Sequence, residues 1–162
     1  MTSEAEHVPR TYRIARITVF CALSVIGSFI HLPGPIETVA FDSAPGFFAA
    51  LYFGPIDGAA VSAIGHIATS IVNGFPLGLL HLPIALGLGA AGAVIGFLNQ
   101  KFNYVIGIAA GVAINTALIV LAIPALGLGG VISFLPFLFL AACVNGFLAC
   151  VAYLGVRARL RT

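Results

Sequence analysis

The residues of this chain that could do chemistry are few and sit among apolar neighbours: Asp42, His66, Thr69, Asn73 and His81, then Asn115 and Asn145, with His31 and Glu37 just upstream. Ser62, His66, Thr69 and Asn73 fall at i, i+4, i+7 and i+11, so on a helix they form one polar stripe. A carboxylate, imidazoles and amides can hydrogen-bond hydroxyls and ring nitrogens. An acid beside a histidine is also the minimum for proton transfer. Each residue alone has a plainer use, bonding a neighbouring helix for about 1 kcal/mol or less. The sequence holds no phosphate-binding Gly-x-x-x-x-Gly-Lys-Ser/Thr loop, no His-Glu-x-x-His, no Gly-x-Ser-x-Gly and no acidic cluster spaced to hold magnesium. Nucleotide use by the chain itself, a bound cofactor and a metal are therefore not expected. Three cysteines inside apolar runs, Cys21, Cys143 and Cys150, favour neither a disulfide framework nor zinc.

The elements that must position these residues are membrane helices. Hydrophobic residues make up 60% and charged residues 7% of the chain, too little charge to cover a water-soluble fold. Spans of about twenty residues cross a hydrocarbon core of ~30 Å. The apolar runs predict six: Tyr12–His31, a short second segment Val39–Gly54, Ala59–Asn73, Leu77–Leu98, Tyr104–Ile123 and Phe134–Val156, preceded by a polar tail over 1–11. The expected organisation is a tail and one membrane domain over 12–162. Prolines and glycines mark His31–Thr38 as a loop, and Gly54-Pro55-Ile56-Asp57-Gly58 as a turn in which Asp57 caps the third helix.

With the N-terminus placed in the cytoplasm, all seven Lys and Arg fall inside and the three outer loops carry none. The basic residues mark helix ends, so nucleic acid is not an expected partner. Spacings such as Ala85-x-x-x-Gly89-x-x-x-Ala93, Gly92-x-x-x-Gly96 and Gly107-x-x-x-Gly111 let helix backbones approach closely and point to packing within the chain. In this layout Asp42, His66, Thr69, Asn73, His81, Asn115 and Asn145 share the middle and outer depths. Polar groups at such depth usually face a cavity or a partner. With no cations outside and many phenylalanines nearby, among them Phe47 and Phe75, the site suits a neutral aromatic or sugar-bearing molecule.

The stretches Gly27-x-Phe-Ile-x-Leu-Pro-Gly-Pro35, Asp42-Ser-Ala-Pro-Gly-Phe-Phe-Ala-Ala-Leu51, Phe53-Gly-Pro55 with Gly58-Ala59, and Gly65-His66 followed by Gly74-Phe-Pro-Leu77 resemble the substrate-binding S components of energy-coupling factor vitamin transporters, over nearly the whole chain. Within them the chain looks most like the predicted α-ribazole type, which serves cobalamin salvage. The resemblance implies a non-enzymatic, six-helix subunit of the cell membrane with cytoplasmic termini and a first outer loop acting as a lid. It further implies a membrane coupling subunit and two cytoplasmic ATPases as partners, which use the ATP. The family's Ala-x-x-x-Ala docking motif reads Thr18-x-x-x-Ala22 here. Carried over by position, the pocket would use Glu37 of the lid, Asp42, Phe47, His66, Thr69, Asn73, Phe75, His81, Asn115 and Asn145, with the two phenylalanines stacking on the ligand. A different B vitamin or precursor, such as pantothenate, and a small membrane-embedded enzyme or assembly factor using Asp42 and His66 are the alternative readings.

Overall fold

The computed structural model describes residues 9–30 and 40–160. The expected lid, with His31 and Glu37, and the first eight residues of the tail lie outside the described residues.

Helix starts and stops follow proline and glycine. Helix α1 covers Arg10–Ser28. Helix α2, Ala44–Phe53, carries Pro45 in its first turn and stops at Gly54, whose φ of 103° is open to glycine but strained for other residues. Pro55 then starts α3, Pro55–Val72, at once. The third helix therefore begins four residues before the expected Ala59. A 3-10 turn, Gly78–Leu80, leads into α4, His81–Lys101. The Asn103 side chain caps α5, Tyr104–Ala117, by accepting from the Ile106 N–H at 3.0 Å. A second 3-10 stretch, Leu118–Ala122, continues into α6, Ile123–Arg159. Gly127, at φ 68° and ψ 168°, breaks α6 near its start. The segment 124–133, expected as an outer loop, is thus largely helical.

These elements make an all-α membrane protein. Pro55–Val72, Gly78–Lys101 and the run Tyr104–Arg159 are long and apolar enough to cross a bilayer. Helix α1 has 19 residues, with three arginines in its first two turns. Helix α2 has only 10 residues, about 15 Å at the α-helical rise and half of a bilayer core, so it does not span on its own. It is instead an internal element, packed by α1, α3, α4 and α6. Phe47, Ala49 and Ala50 on it are fully buried, and Phe47 joins Ile95, Ile108 and Val112 in the main core.

Small residues allow this burial. A Cβ on Gly58 of α3 would strike Ala50 of α2, and one on Gly92 of α4 would strike the Gly58 carbonyl. At Gly96 a Cβ would lie 2.6 Å from the Pro55 nitrogen, and at Gly107 it would lie 2.7 Å from the Ile95 carbonyl oxygen. The four-residue spacings thus serve contacts within the chain. Between α1 and α6 the packing stays open, leaving an apolar groove with about 990 Å³ of empty volume, flanked by Phe20 and Leu23 on one side and Leu148 and Ala152 on the other.

Asp57 does not cap α3, because the helix starts at Pro55 and places this residue inside its first turn. Its buried carboxylate instead takes two hydrogen bonds from Arg16, Nε to Oδ1 at 3.0 Å and Nη2 to Oδ2 at 2.9 Å, with Arg13 Nε 3.4 Å away. This fork joins α1 to α3 at the end of the bundle where Lys101 and Arg157 also lie, on the last turns of α4 and α6. Removing Arg16 leaves a buried charge with only Arg13 to answer it, whereas removing the charge of Asp57 leaves a guanidinium whose side chain is 23% exposed. Arg16→Ala is therefore expected to cost about 3 kcal/mol, and more than Asp57→Asn, as read from unfolding midpoints of the detergent-purified protein.

Candidate functional site

At the opposite end of the bundle a cavity opens between the segment 40–43, the last turns of α3, the start of α4, the end of α5 and the first half of α6. It has about 680 Å³ of empty volume, counting the open solvent at its mouth. Its polar lining comes from Asp42, Ser43, His66, His81, Asn115 and Asn145, and its apolar wall from residues such as Leu77, Leu88, Ile119 and Phe134. Side chains from five parts of the chain meet there, which neither the stripe on α3 nor any single helix could achieve.

Asp42 enters the cavity because residues 40–43 are not helical. The Phe41 N–H donates to the Gly27 carbonyl at 3.2 Å, and Gly27 has no Cβ to obstruct the approach. From the other side, Asn145 of α6 binds the segment through both halves of its amide. Its Oδ1 accepts from the Ala44 N–H at 2.8 Å, and its Nδ2 donates to the carbonyls of Ala40 at 3.0 Å and Ala141 at 2.9 Å. Asn145 thus spends its hydrogen bonds on backbone. It shapes the cavity more than it offers bonds to a ligand.

Asp42 keeps part of its capacity beyond the backbone N–H groups of Asp42 and Ser43 that meet its carboxylate. Its nearest side-chain donors are Thr69 Oγ1 at 3.3 Å from Oδ2 and Ser43 Oγ at 3.4 Å from Oδ1, both long for a hydroxyl–carboxylate bond. Thr69 also reaches the His66 carbonyl at 2.9 Å, and one hydroxyl proton serves only one of the two acceptors. His66 Nδ1 stands 4.0 Å from Asp42 Oδ2. Among the described residues Asn115 makes one side-chain hydrogen bond, Nδ2 to Ser43 Oγ at 3.5 Å, so its amide too is almost unspent. His66 Nε2 meets His81 Nδ1 at 3.1 Å, and His81 is further held by Ser70 Oγ at 2.9 Å and by the Leu77 N–H, which donates to Nε2 at 3.2 Å.

The remaining expected site residues lie elsewhere. Thr69 is buried behind Asp42 and supports it without lining the main cavity. Asn73 is the exposed residue that follows the last residue of α3, Val72, and is not part of the cavity lining. Phe47 is sealed in the core against Ile95 and touches only a small recess beneath the site, so it has no free face on which a ring could stack. Phe75 sits in the α3–α4 connection with its ring edge-on to His81 at 5.3 Å, outside the cavity lining. Ser43 and Ser70 were not singled out by sequence reasoning. Their one visible signal was adjacency, Ser43 beside Asp42 and Ser70 one turn beyond His66. In the recess, Ser62 Oγ is the buried side-chain atom without a hydrogen-bond partner among the described residues.

The match to known families is broad. Residues 12–156 fit the family model described as ECF transporter, substrate-specific component. Comparison with curated proteins and with solved structures found no match.

The two asparagines separate by test. Asn145→Ala removes three bonds to buried backbone and is expected to lower stability by about 2 kcal/mol or more. Asn115→Ala gives up one long contact and is expected to change the unfolding midpoint little. Equal losses for the two variants in thermal unfolding would contradict this division.

Proposed function

Because the chain belongs to the substrate-specific components of ECF transporters, we propose that the cavity around Asp42, His66 and Asn115 captures a neutral, hydroxyl-bearing vitamin precursor, with α-ribazole as the leading candidate. Members of this family are transport subunits rather than enzymes. They work with a membrane coupling subunit and ATPase subunits that hydrolyse ATP. One observation carries the choice of site: Asp42 and Asn115 line one cavity and their side-chain hydrogen bonds are all 3.3 Å or longer, so part of their bonding capacity is available to a guest.

The chemistry of the lining supports a neutral nucleoside over an anionic vitamin. Among the described residues no Lys or Arg lines the cavity, and a phosphate or carboxylate would meet the Asp42 carboxylate without compensation. An apolar wall of leucines, Ile119 and Phe134 suits an aromatic base, while Asp42, His66 and Asn115 suit sugar hydroxyls. Stacking by Phe47 is not part of this proposal, since that ring is enclosed. Pantothenate, a carboxylate, fits the lining less well. In the orientation that places the arginine-rich end in the cytoplasm, the cavity faces outward, as capture from outside the cell membrane requires.

The coupling subunit is proposed to dock on α1. Thr18 and Ala22 lie on its exposed face, where Thr18 Oγ1 is turned back onto the Ile14 carbonyl at 3.0 Å and leaves a small, nearly apolar surface. Thr18→Phe with Ala22→Phe is expected to abolish co-purification with coexpressed coupling and ATPase subunits while leaving ligand binding intact.

Binding by purified protein tests the cargo. Saturable binding of α-ribazole, weakened at least tenfold by Asp42→Ala or His66→Ala, is the expected result by calorimetry. Saturation by pantothenate, riboflavin or thiamin instead would redirect the assignment to that vitamin, and no binding by any would remove the capture reading.

A further inference from the structure

The hydrogen bonds around the two histidines fix which ring nitrogens carry protons. The Leu77 N–H donates to His81 Nε2 at 3.2 Å, so Nε2 must present a lone pair, and a proton there would face another proton. The proton of a neutral His81 is then on Nδ1. That nitrogen faces two acceptors, Ser70 Oγ at 2.9 Å and His66 Nε2 at 3.1 Å. Ser70 is free to accept because its own proton goes to the His66 carbonyl at 2.7 Å. Since His66 Nε2 is opposed by a proton on His81, it too must present a lone pair, and the His66 proton moves to Nδ1. His66 Nδ1 is the nitrogen directed at Asp42, 4.0 Å from Oδ2.

We infer that the Leu77 backbone, Ser70 and His81 act as positioning groups that hold His66 as an Nδ1–H donor opposite the Asp42 carboxylate, forming a donor–acceptor pair that accommodates one ligand hydroxyl. The separation is too long for a direct hydrogen bond between the two groups. It does admit an oxygen at about 2.8 Å from each, which accepts from His66 and donates to Asp42. A hydroxyl meets both demands, whereas an ether or a carbonyl meets only the first and an anion is repelled by the second. His81 is thereby assigned to orienting His66 rather than to touching the ligand. The hydroxyl part of this inference rests on the capture reading, while the proton order does not.

The proton order is read without ligand, by 15N NMR of the full-length protein in nanodiscs with labelled histidine, in a His7→Gln, His31→Gln background that leaves two rings to assign. Both rings are expected to show a protonated Nδ1 and an unprotonated Nε2, the form that free histidine in water disfavours. Protonation of Nε2 on either ring at neutral pH would overturn the inference. His81→Phe is expected to release His66 to the Nε2–H form. His81→Asn, whose amide can donate from the place of Nδ1, is expected to retain the Nδ1–H form of His66. An unchanged His66 in His81→Phe would refute the positioning role of His81. In binding, His81→Phe is expected to weaken α-ribazole at least tenfold and leave its sugar-free base unaffected; equal weakening of both would refute the hydroxyl pairing. Failure of the unaltered protein to bind either compound would count against the capture reading and leave the ring-nitrogen result standing.

Discussion

A carboxylate placed among apolar helices has to be answered by donors, and this chain answers its two described carboxylates differently. Asp57 receives a two-pronged guanidinium at 2.9 and 3.0 Å, with a second arginine behind it. Asp42 receives no side-chain donor closer than 3.3 Å among the described residues, and is otherwise met by the backbone N–H groups of Asp42 and Ser43. Burying charge costs several kcal/mol when it is left uncompensated. The first arrangement closes that cost within the fold and joins α1 to α3. The second leaves part of it open, in a cavity, with a donor held 4.0 Å away. A fold that can build the Arg16–Asp57 fork has the means to satisfy a carboxylate. Its not doing so at Asp42 is the strongest physical sign that something else completes that site.

The rest of the architecture can be derived from supporting that open carboxylate. Asp42 must stand on non-helical backbone to face the cavity, and non-helical backbone inside a membrane protein needs partners for its N–H and C=O groups. Asn145 and the end of α1 provide them. The same segment leads into α2, whose ten residues begin only after the turn and therefore lie inside the bundle. The internal position of α2 then demands the run of small residues that α3 and α4 present to it.

Much of this was legible in the sequence, for identifiable reasons. The polar stripe of α3 was visible because helical spacing brings residues four apart onto one face, and the structure shows His66 and Thr69 adjoining Asp42. The Gly-Pro pair at 54–55 marked a junction, though the sequence placed the next helix start too late, since proline is favoured in a first turn as well as in a loop. Asn73 belonged to the stripe by spacing but falls where the helix has already ended. Phe47 looked like an available ring because it follows Asp42 closely. Its enclosure depends on Ile95, Ile108 and Val112, which are tens of residues away. The hydroxyl of Ser70 could not be distinguished from those of Ser24 or Thr116, which simply bond the carbonyl one turn back. Only the position of His81 gives Ser70 a second partner. Likewise nothing local to Asn145 foretells that it spans more than a hundred residues to hold Ala40 and Ala44.

The cavity lies where large side chains, rather than glycine backbone alone, fill the space between helices. Near the arginine-rich end, Gly58, Gly92, Gly96 and Gly107 bring α2, α3, α4 and α5 to backbone contact. Toward the other end the facing residues become Leu77, Leu118, Ile119, Phe134 and Leu138, and the helices give way to 3-10 stretches at 78–80 and 118–122 and to the break at Gly127. Glycine is not absent there: Gly27 lets the segment at Phe41 approach α1, and Gly87 of α4 lies against Leu118, which itself lines the cavity. What differs is the partner, backbone against backbone at the first end and backbone against a large aliphatic side chain at Gly87. The polar groups of Asp42, His66 and Asn115 stand among these larger side chains, in the space that they line.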